Sequence, residues 1–480
     1  MTRALLDQPL AGVDDLRSVL DEQRAAFERL GPPSPTVRRA ALRKLELMVT
    51  GNRVPLTEAL KEDFGSRSAT ETEIAEVVGS VHSLRYARRH LPRWAMPRLR
   101  GTSIWFLPGT NRVVAQPKGV VGIISPWNYP VHLTLAPLAA AVAAGNRVMV
   151  KMSELTPSTA ALLARLVAEQ FPRDEIFVTG GEVEVARRFS ALPFDHLLFT
   201  GSTAVGRDVM RAAAENLTPV TLELGGKSPA VVDEGYPIEW AAQRITWGKL
   251  FNAGQTCVAP DYVLVPAGSE QRFAEAALAA ARRLQPEPAA DAEVTAIVSD
   301  HHYERVRALV DDARAKGATV TAAAEPETLA AQRKFPFTVV TGVDDGMRLA
   351  QEEIFGPVLP VIGYPALDAA VDYVNARPRP LALYVFSKEA SARRRILSGT
   401  TSGGVTVNDT LLHYLQDASP FGGVGPSGMG AYHGREGFDT FSHHKAVFTQ
   451  RGVAGLTGTQ MLYPPYGRLS RALLRLMRRI

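Results

Sequence analysis

Cysteine is nearly absent: the 480 residues hold one, Cys257, so no intramolecular disulfide can form. A disulfide-dense secreted scaffold and a zinc site of four cysteines are excluded, and no metal site is expected. Long apolar runs are missing too. The longest stretch free of charge, 119–146, is interrupted by Pro126, Asn128, Pro130, His132 and Pro137. It never reaches the roughly 18–20 continuous apolar residues of a spanning helix. The N-terminus has no long apolar core and meets an acid at Asp7, so no signal peptide is read. Acids are absent from the last twenty positions, which hold Arg468, Arg471, Arg475, Arg478 and Arg479; without these arginines the basic and acidic residues are equal in number. The net charge of +5 therefore belongs to the tail. A whole-chain nucleic-acid binder carries a larger basic excess or a basic stripe, so no nucleic-acid partner is expected. The expectation is a soluble, cytoplasmic protein.

What is present is globular composition, 46% apolar and 21% charged, in a chain long enough for two or three domains. Residues 13–64 read as helices separated by Pro32, Pro33 and Pro35, and 71–91 as another. Residues 102–116 read as two short strands around a Pro-Gly turn. From 119 the pattern changes to short apolar runs alternating with helical stretches: GVVGIIS, RVMVK, EIFVTGG, DHLLFTGS and PVTLELGG. That alternation predicts a parallel α/β sheet. It restarts after 228 through YVLVP, TVVTG, VLPVIGY, LALYVFS and GGVTVND, which predicts a second α/β domain. Residues 418–430, rich in glycine, read as an irregular loop. There is no fixed-period repeat.

Several residues stand out chemically, each with a bland reading beside it. Cys257 follows the polar turn Gly254-Gln255-Thr256. It is either a small buried hydrophobe or, near backbone N–H groups, a nucleophile. Glu223 ends an apolar strand before Gly225 and Gly226, 22 positions after Gly201. It suits a ribose-binding acid or a general base whose pKa burial has raised. In FTGSTAVGRDV, Gly201 and Gly206 bracket a strand-to-helix turn that can meet a phosphate. Asn128, between two prolines, can cap a turn or donate to an oxyanion. Lys151 and Glu154, and the acids of QEEIFGPVLP, can equally be solvated strand ends.

Taken together, these segments resemble the aldehyde dehydrogenase superfamily over about residues 40–450. LELGGKSP resembles the family's glutamate signature and FNAGQTC its cysteine signature, 34 positions apart from Glu223 to Cys257. PWNYP, FTGS, EEIFGPV and PFGGVGPSGMG also match, in order. HGREGFDTFSHHKAV is most similar to the fatty-aldehyde and coniferyl-aldehyde branch, although Met152 stands where that branch often carries proline. The resemblance implies Cys257 as nucleophile, Asn128 with the Cys257 N–H as oxyanion hole, and Glu223 as general base. It implies Lys151 and Glu154 at the adenosine ribose, Gly201 and Ser202 near the pyrophosphate, and Glu353 with Phe355 at the nicotinamide ribose. The implied activity is NAD(P)-dependent oxidation of a hydrophobic aldehyde, aromatic or medium-to-long aliphatic, with coniferyl aldehyde leading. Glu154 favours NAD over NADP. Trp247, Phe251, Tyr129, His132 and Phe421 are candidate pocket walls. A coenzyme-A-acylating enzyme and a non-catalytic scaffold of the same fold are the alternatives.

The implied fold is α/β in three parts. A Rossmann-like NAD(P)-binding domain takes 1–100 and 117–223, and a catalytic domain takes 224–415. A β bridging element, the expected homodimer contact, takes 101–116 and 430–455. In the tail, 461–480, Leu469, Leu473, Leu476 and Ile480 share one helical face and the arginines another. Such a basic amphipathic helix either packs on protein or lies on an anionic membrane surface.

Overall fold

The computed structural model describes residues 15–452 and 458–478. Residues 1–14 and 453–455 of the expected domain ranges, and Arg479 and Ile480 of the tail, lie outside the described residues. The N-terminal helices Asp15–Leu30, Pro35–Gly51 and Arg53–Phe64 each bury one apolar stripe. The second starts where Ser34 accepts the Val37 N–H (3.4 Å) and Pro35 occupies the first turn, the position where proline's missing N–H costs nothing.

A six-stranded sheet follows. Its spatial order is Gly428–Met429, Val220–Glu223, His196–Thr200, Val120–Ile124, Arg147–Lys151, Ile176–Thr179. All pairs are parallel except the two-residue edge at Gly428–Met429. Val120–Ile124 is buried along its whole length, and every residue of the covering helix His132–Ala144 is buried. The chain builds outward from Val120–Ile124 to Ile176–Thr179, then returns to lay His196–Thr200 on the other side. The strand order thus reverses beside Val120–Ile124, and in such sheets the crevice for a ligand opens at the carboxyl ends of the strands flanking the reversal. Asn128, Lys151, Gly201 and Glu223 all lie at or just beyond those ends.

The second sheet has seven strands, in the order Thr319–Ala322, Thr338–Thr341, Val358–Tyr364, Tyr262–Pro266, Pro229–Val232, Ala382–Phe386, Gly404–Val407. It is parallel apart from its first strand. The fold is an α/β, Rossmann-like architecture. Only a five-residue stretch separates the end of Val220–Glu223 from the start of Pro229–Val232, so Glu223 sits where the chain passes from one sheet to the other.

The third sheet differs from the expected hairpin within 102–116. Ile104–Phe106 is a single 3-10 turn, and Pro108 leaves that stretch short of a donor for strand pairing. Thr110–Pro117 pairs instead with Arg98–Arg100 on one side and with Ser442–Thr449 on the other, antiparallel throughout. Thr319–Ala322, too short and too exposed to show an apolar run, was not anticipated. In the tail the helix is Arg468–Met477. Its covered side is Ser470, with Leu473 and Met477 half-buried, whereas Leu469 (74% exposed) and Leu476 (52%) face away. The anticipated leucine stripe is therefore not the covered one. Among the described residues no helix is long and apolar enough to cross a membrane.

Candidate active site

All nine residues singled out from the sequence as catalytic or cofactor-binding line one cleft of about 1560 Å³: Asn128, Lys151, Glu154, Gly201, Ser202, Glu223, Cys257, Glu353 and Phe355. Cys257 also lines a second cavity of about 650 Å³, an apolar tunnel walled by Tyr129, His132, Leu133, Trp247, Phe251, Leu411 and Tyr414 among others. The thiol thus sits in the wall shared by a larger cleft of mixed lining and an apolar tunnel.

Local backbone geometry delivers it there. The helix Ile238–Leu250 ends in a tight turn, Phe251–Gly254, in which Asn252 (φ 53°) and Ala253 (φ 52°) are both left-handed. Two successive non-glycine residues in that region cost roughly 1–2 kcal/mol each, so hydrogen bonds must hold the turn. The Gln255 amide supplies three: Nε2 donates to the Asn252 carbonyl (3.1 Å) and the Ala296 carbonyl (3.0 Å), and Oε1 accepts the Val298 N–H (2.9 Å). Asn252 Nδ2 donates to the carbonyls of Asn128 (3.1 Å) and Gln255 (3.2 Å), and Asn128 Nδ2 donates to the Gln255 carbonyl (3.1 Å). The Asn128 turn and the Cys257 turn are thereby tied to each other.

Burial dominates the electrostatics. It pushes the Cys257 thiol up to about 12, and the nearby carboxylates Glu353 and Glu223 push the same way. It holds Glu223 well above the usual carboxylate range, and among the described residues neither Glu223 carboxylate oxygen has a hydrogen-bond partner. A buried carboxyl with both oxygens free is costly as a structural element and fits a group that waits for a proton. Glu353 is pushed up to about 7 by burial and by Asp261, against the pull of Lys227 and Arg305. A Cβ at Gly225 would lie 2.2 Å from Glu353 Oε2, so only glycine lets that carboxyl approach the strand end.

Sequence reasoning missed the side chains that hold the Glu353 loop. Arg305 donates to the Glu353 carbonyl (3.1 Å) and to that of Ile354, while Asp261 Oδ1 accepts the Ile354 N–H (2.9 Å). Lys227 pairs with Asp261 and donates to the Leu349 (2.8 Å) and Glu352 (3.0 Å) carbonyls. Lys227 stands inside LELGGKSP, so a signal existed there; Asp261 and Arg305 carry none. At the cleft's far end Lys151, 1% exposed, meets Glu154 at 3.2 Å. Ser202 caps the helix Thr203–Ala214, its Oγ accepting the Val205 N–H (3.4 Å). In the tunnel, Tyr129 and Phe251 stack at 6.4 Å and Trp247 lies 5.8 Å from Phe251. Burial holds His132 down to about 4, which keeps it neutral. Phe421, expected as a wall, lies one layer back against Tyr414 (4.7 Å) and His433 (5.1 Å). Ile74, Ala75, Leu411, Tyr414 and Leu415 complete the tunnel and come from segments that local pattern did not mark.

A family model described as "Aldehyde dehydrogenase family" matches residues 2–447. A curated protein of Pseudomonas aeruginosa named "Probable coniferyl aldehyde dehydrogenase" is 50% identical over 466 residues, covering 97% of this chain and 96% of that protein. Among solved structures, the substrate-bound state of Staphylococcus aureus AldH superposes with a TM-score of 0.90 at 36% identity, covering 96% of this chain and 99% of that one. A Mycobacterium tuberculosis aldehyde dehydrogenase complexed with NAD+ superposes with a TM-score of 0.84 at 30% identity, covering 94% and 92%.

Proposed function

The chain belongs to the aldehyde dehydrogenase family, and from that premise we propose that it oxidises a hydrophobic aldehyde, coniferyl aldehyde first among candidates, to its carboxylic acid with NAD. The observation that carries this reading is the position of Cys257 between the larger cleft and the apolar tunnel. The tunnel delivers an apolar aldehyde to the thiol from one side, and the cleft holds the cofactor on the other. Its walls are aromatic and aliphatic and its histidine is neutral, which suits an aromatic or long aliphatic chain and disfavours a charged one.

The cleft fits a dinucleotide. It is large enough, a capped helix N-terminus opens at Ser202, and Gly225 leaves the space that Glu353 enters. Lys151 and Glu154 would hold the adenosine ribose, Gly201 and Ser202 the pyrophosphate, and Glu353 with Phe355 the nicotinamide ribose. NAD, when bound, supplies the hydride acceptor. NADP would set its extra phosphate against the Glu154 carboxylate.

The protein's own residues do the rest. Cys257 gives its proton to water in the cleft; the thiolate Sγ then bonds to the aldehyde carbon as the C=O π pair moves onto the carbonyl oxygen. Asn128 Nδ2–H and the Cys257 backbone N–H stabilise that oxyanion. When the C=O reforms, the carbon loses its hydrogen as hydride and a thioester remains on Cys257. Glu223 takes a proton from water as the water oxygen attacks the thioester carbon. The C–S bond then breaks, giving the acid and the thiolate. The free oxygens of Glu223 support hydrolysis over transfer to coenzyme A.

The test is the appearance of reduced nicotinamide with NAD or NADP and coniferyl aldehyde, benzaldehyde, octanal or hexadecanal, with Cys257→Ala alongside. Reduction by the wild type alone supports the reading. Reduction by Cys257→Ala, or acyl-coenzyme A as the product when coenzyme A is added, would overturn it. We further infer a cytoplasmic homodimer joined through the three-stranded sheet, supported by exposed Leu99 and Phe448 on its edge strands. In the tail, exposed Leu469, Leu474 and Leu476 beside Arg468, Arg471 and Arg475 leave two coverings, protein (a neighbouring subunit or the chain's own body) or an anionic membrane surface. Sedimentation with anionic vesicles at low salt separates them.

A further inference from the structure

We propose that Arg67, Glu71 and Glu76 form a buried clamp that sets Asn128 and Cys257 in their working arrangement, acting as positioning residues for the oxyanion hole. The proposal rests on the roles given above to Asn128 and Cys257. None of the three residues belongs to a sequence signature, and none lines the cleft.

They come from one short stretch. Ser68 caps the one-turn helix Ala69–Thr72, and the chain then widens into a π-turn, Glu73–Val78, before the helix Gly79–Trp94. Such wide turns recur at functional sites. Here the turn carries Glu76 on one side and Ile74 and Ala75, which line the tunnel, on another.

The contacts run to the backbone of both reactive turns. Arg67 Nη1 donates to the Asn128 carbonyl (2.9 Å), and Nη2 meets Glu76 Oε1 (3.2 Å). Glu76 Oε2 accepts the N–H groups of Val131 (3.1 Å) and His132 (2.7 Å), where the helix after Asn128 begins. Glu71 Oε2 accepts the Asn252 N–H (2.9 Å) at the first left-handed residue of the cysteine turn. The Asn128 carbonyl accepts twice, from Arg67 and from Asn252 Nδ2. With both lone pairs used, that peptide plane is held, while Asn128 Nδ2 is itself tied to the Gln255 carbonyl (3.1 Å).

Energetics favour a positioning role over a stabilising one. The Arg67 and Glu76 side chains are 1% and 0% exposed. A buried ion pair roughly cancels its Coulomb gain against desolvation, and well-packed apolar residues often serve stability as well or better. Burial pushes Glu71 and Glu76 up to about 7 against the pull of Arg67, which is the same cost seen from the carboxyl side. What an apolar replacement cannot do is donate to the Asn128 carbonyl or accept the N–H groups of Val131, His132 and Asn252.

The experiment is a double-mutant cycle on the full-length enzyme with NAD and coniferyl aldehyde, using Asn128→Ala, Arg67→Met and the pair, with Arg67→Lys as the conservative variant. Losing an oxyanion donor costs about 10²–10³-fold in kcat, which sets the expectation for Asn128→Ala. A misplacement on the order of 1 Å costs up to about 10²-fold, so Arg67→Met should lower kcat by roughly tenfold to a hundredfold. KM for NAD should stay unchanged, and Arg67→Lys should recover much of the loss. In the Asn128→Ala background, Arg67→Met should cost several-fold less, because only the Cys257 N–H remains of the oxyanion hole that the clamp positions. Equal fold losses in both backgrounds would mean a general structural role and overturn the clamp. If Asn128→Ala leaves kcat intact, the oxyanion reading itself fails and the clamp falls with it. Should Arg67→Met not fold, Glu76→Gln replaces it in the same cycle.

Discussion

Replacing Glu223 by glutamine tests the reaction scheme at the point where water enters. The change is nearly isosteric and removes the base while leaving Cys257 and Asn128 in place. Because Glu223 is fully buried and neither oxygen is bonded in the resting site, no described hydrogen bond is lost. General-base catalysis contributes about 10²–10⁴-fold, equivalent to about 3–5 kcal/mol of barrier. The loss should fall on the step after hydride transfer, since thioester formation needs only the thiolate and the oxyanion donors. Mixing Glu223→Gln with NAD and coniferyl aldehyde should therefore give a rapid burst of reduced nicotinamide approaching one per active site. A steady state slower than wild type by about 10²-fold or more should follow. Mass spectrometry of the quenched protein should find the acyl group on Cys257. A variant with no burst would place Glu223 before the thioester. A variant with wild-type turnover would mean that another group, or water alone, does the hydrolysis.

The same residue makes a stability prediction. Its folded-state pKa lies well above 4.5, so the stability it contributes is present below the unfolded pKa and is lost as pH rises toward the folded value. Glu223→Gln should thus gain in Tm relative to wild type as pH rises above about 4.5, and a gap that stays constant with pH would refute the burial argument. At the far end of the cleft, Glu154→Gln should narrow the preference for NAD over NADP by roughly tenfold, the scale of one charge interaction of about 1–2 kcal/mol near a solvated surface. The ratio of kcat/KM values for the two cofactors checks it. In the tunnel, Phe251→Ala removes a ring packed against Tyr129 and Trp247. It should raise KM for coniferyl aldehyde by about tenfold or more, from burial of about 1.5–3 kcal/mol, with little change for propanal; equal losses on both would argue against this cavity as the substrate route.

Much of the site was legible because its residues sit in short, locally constrained segments. Glu223 ends a strand and precedes glycines, Cys257 follows a polar turn, and Asn128 stands between prolines. Each is a position where strand end, turn and helix start are set within a few residues. The alternation of apolar runs and helical stretches marked both parallel sheets, since buried parallel strands are apolar on both faces. The bridging element was expected from 101–116 and 430–455, but its pairing was read as a hairpin within 102–116, whereas Thr110–Pro117 pairs with Ser442–Thr449, more than three hundred residues away. Nothing in the sequence around 110 encodes that partner.

The sequence by itself determined which chemistry is available: one thiol, a carboxyl at the end of an apolar strand, an amide in a proline-bounded turn, and a basic amphipathic tail. Only the tertiary structure decided what surrounds them. It brought Arg67, Glu71 and Glu76 against the backbone of Asn128 and Asn252, set Asp261 and Arg305 behind Glu353, and assembled a tunnel from separated helices and loops. The reason is physical. Residue type and local spacing set backbone preference, whereas desolvation, cavity shape and hydrogen-bond geometry depend on groups distant in the chain that meet only when the sheets and helices pack.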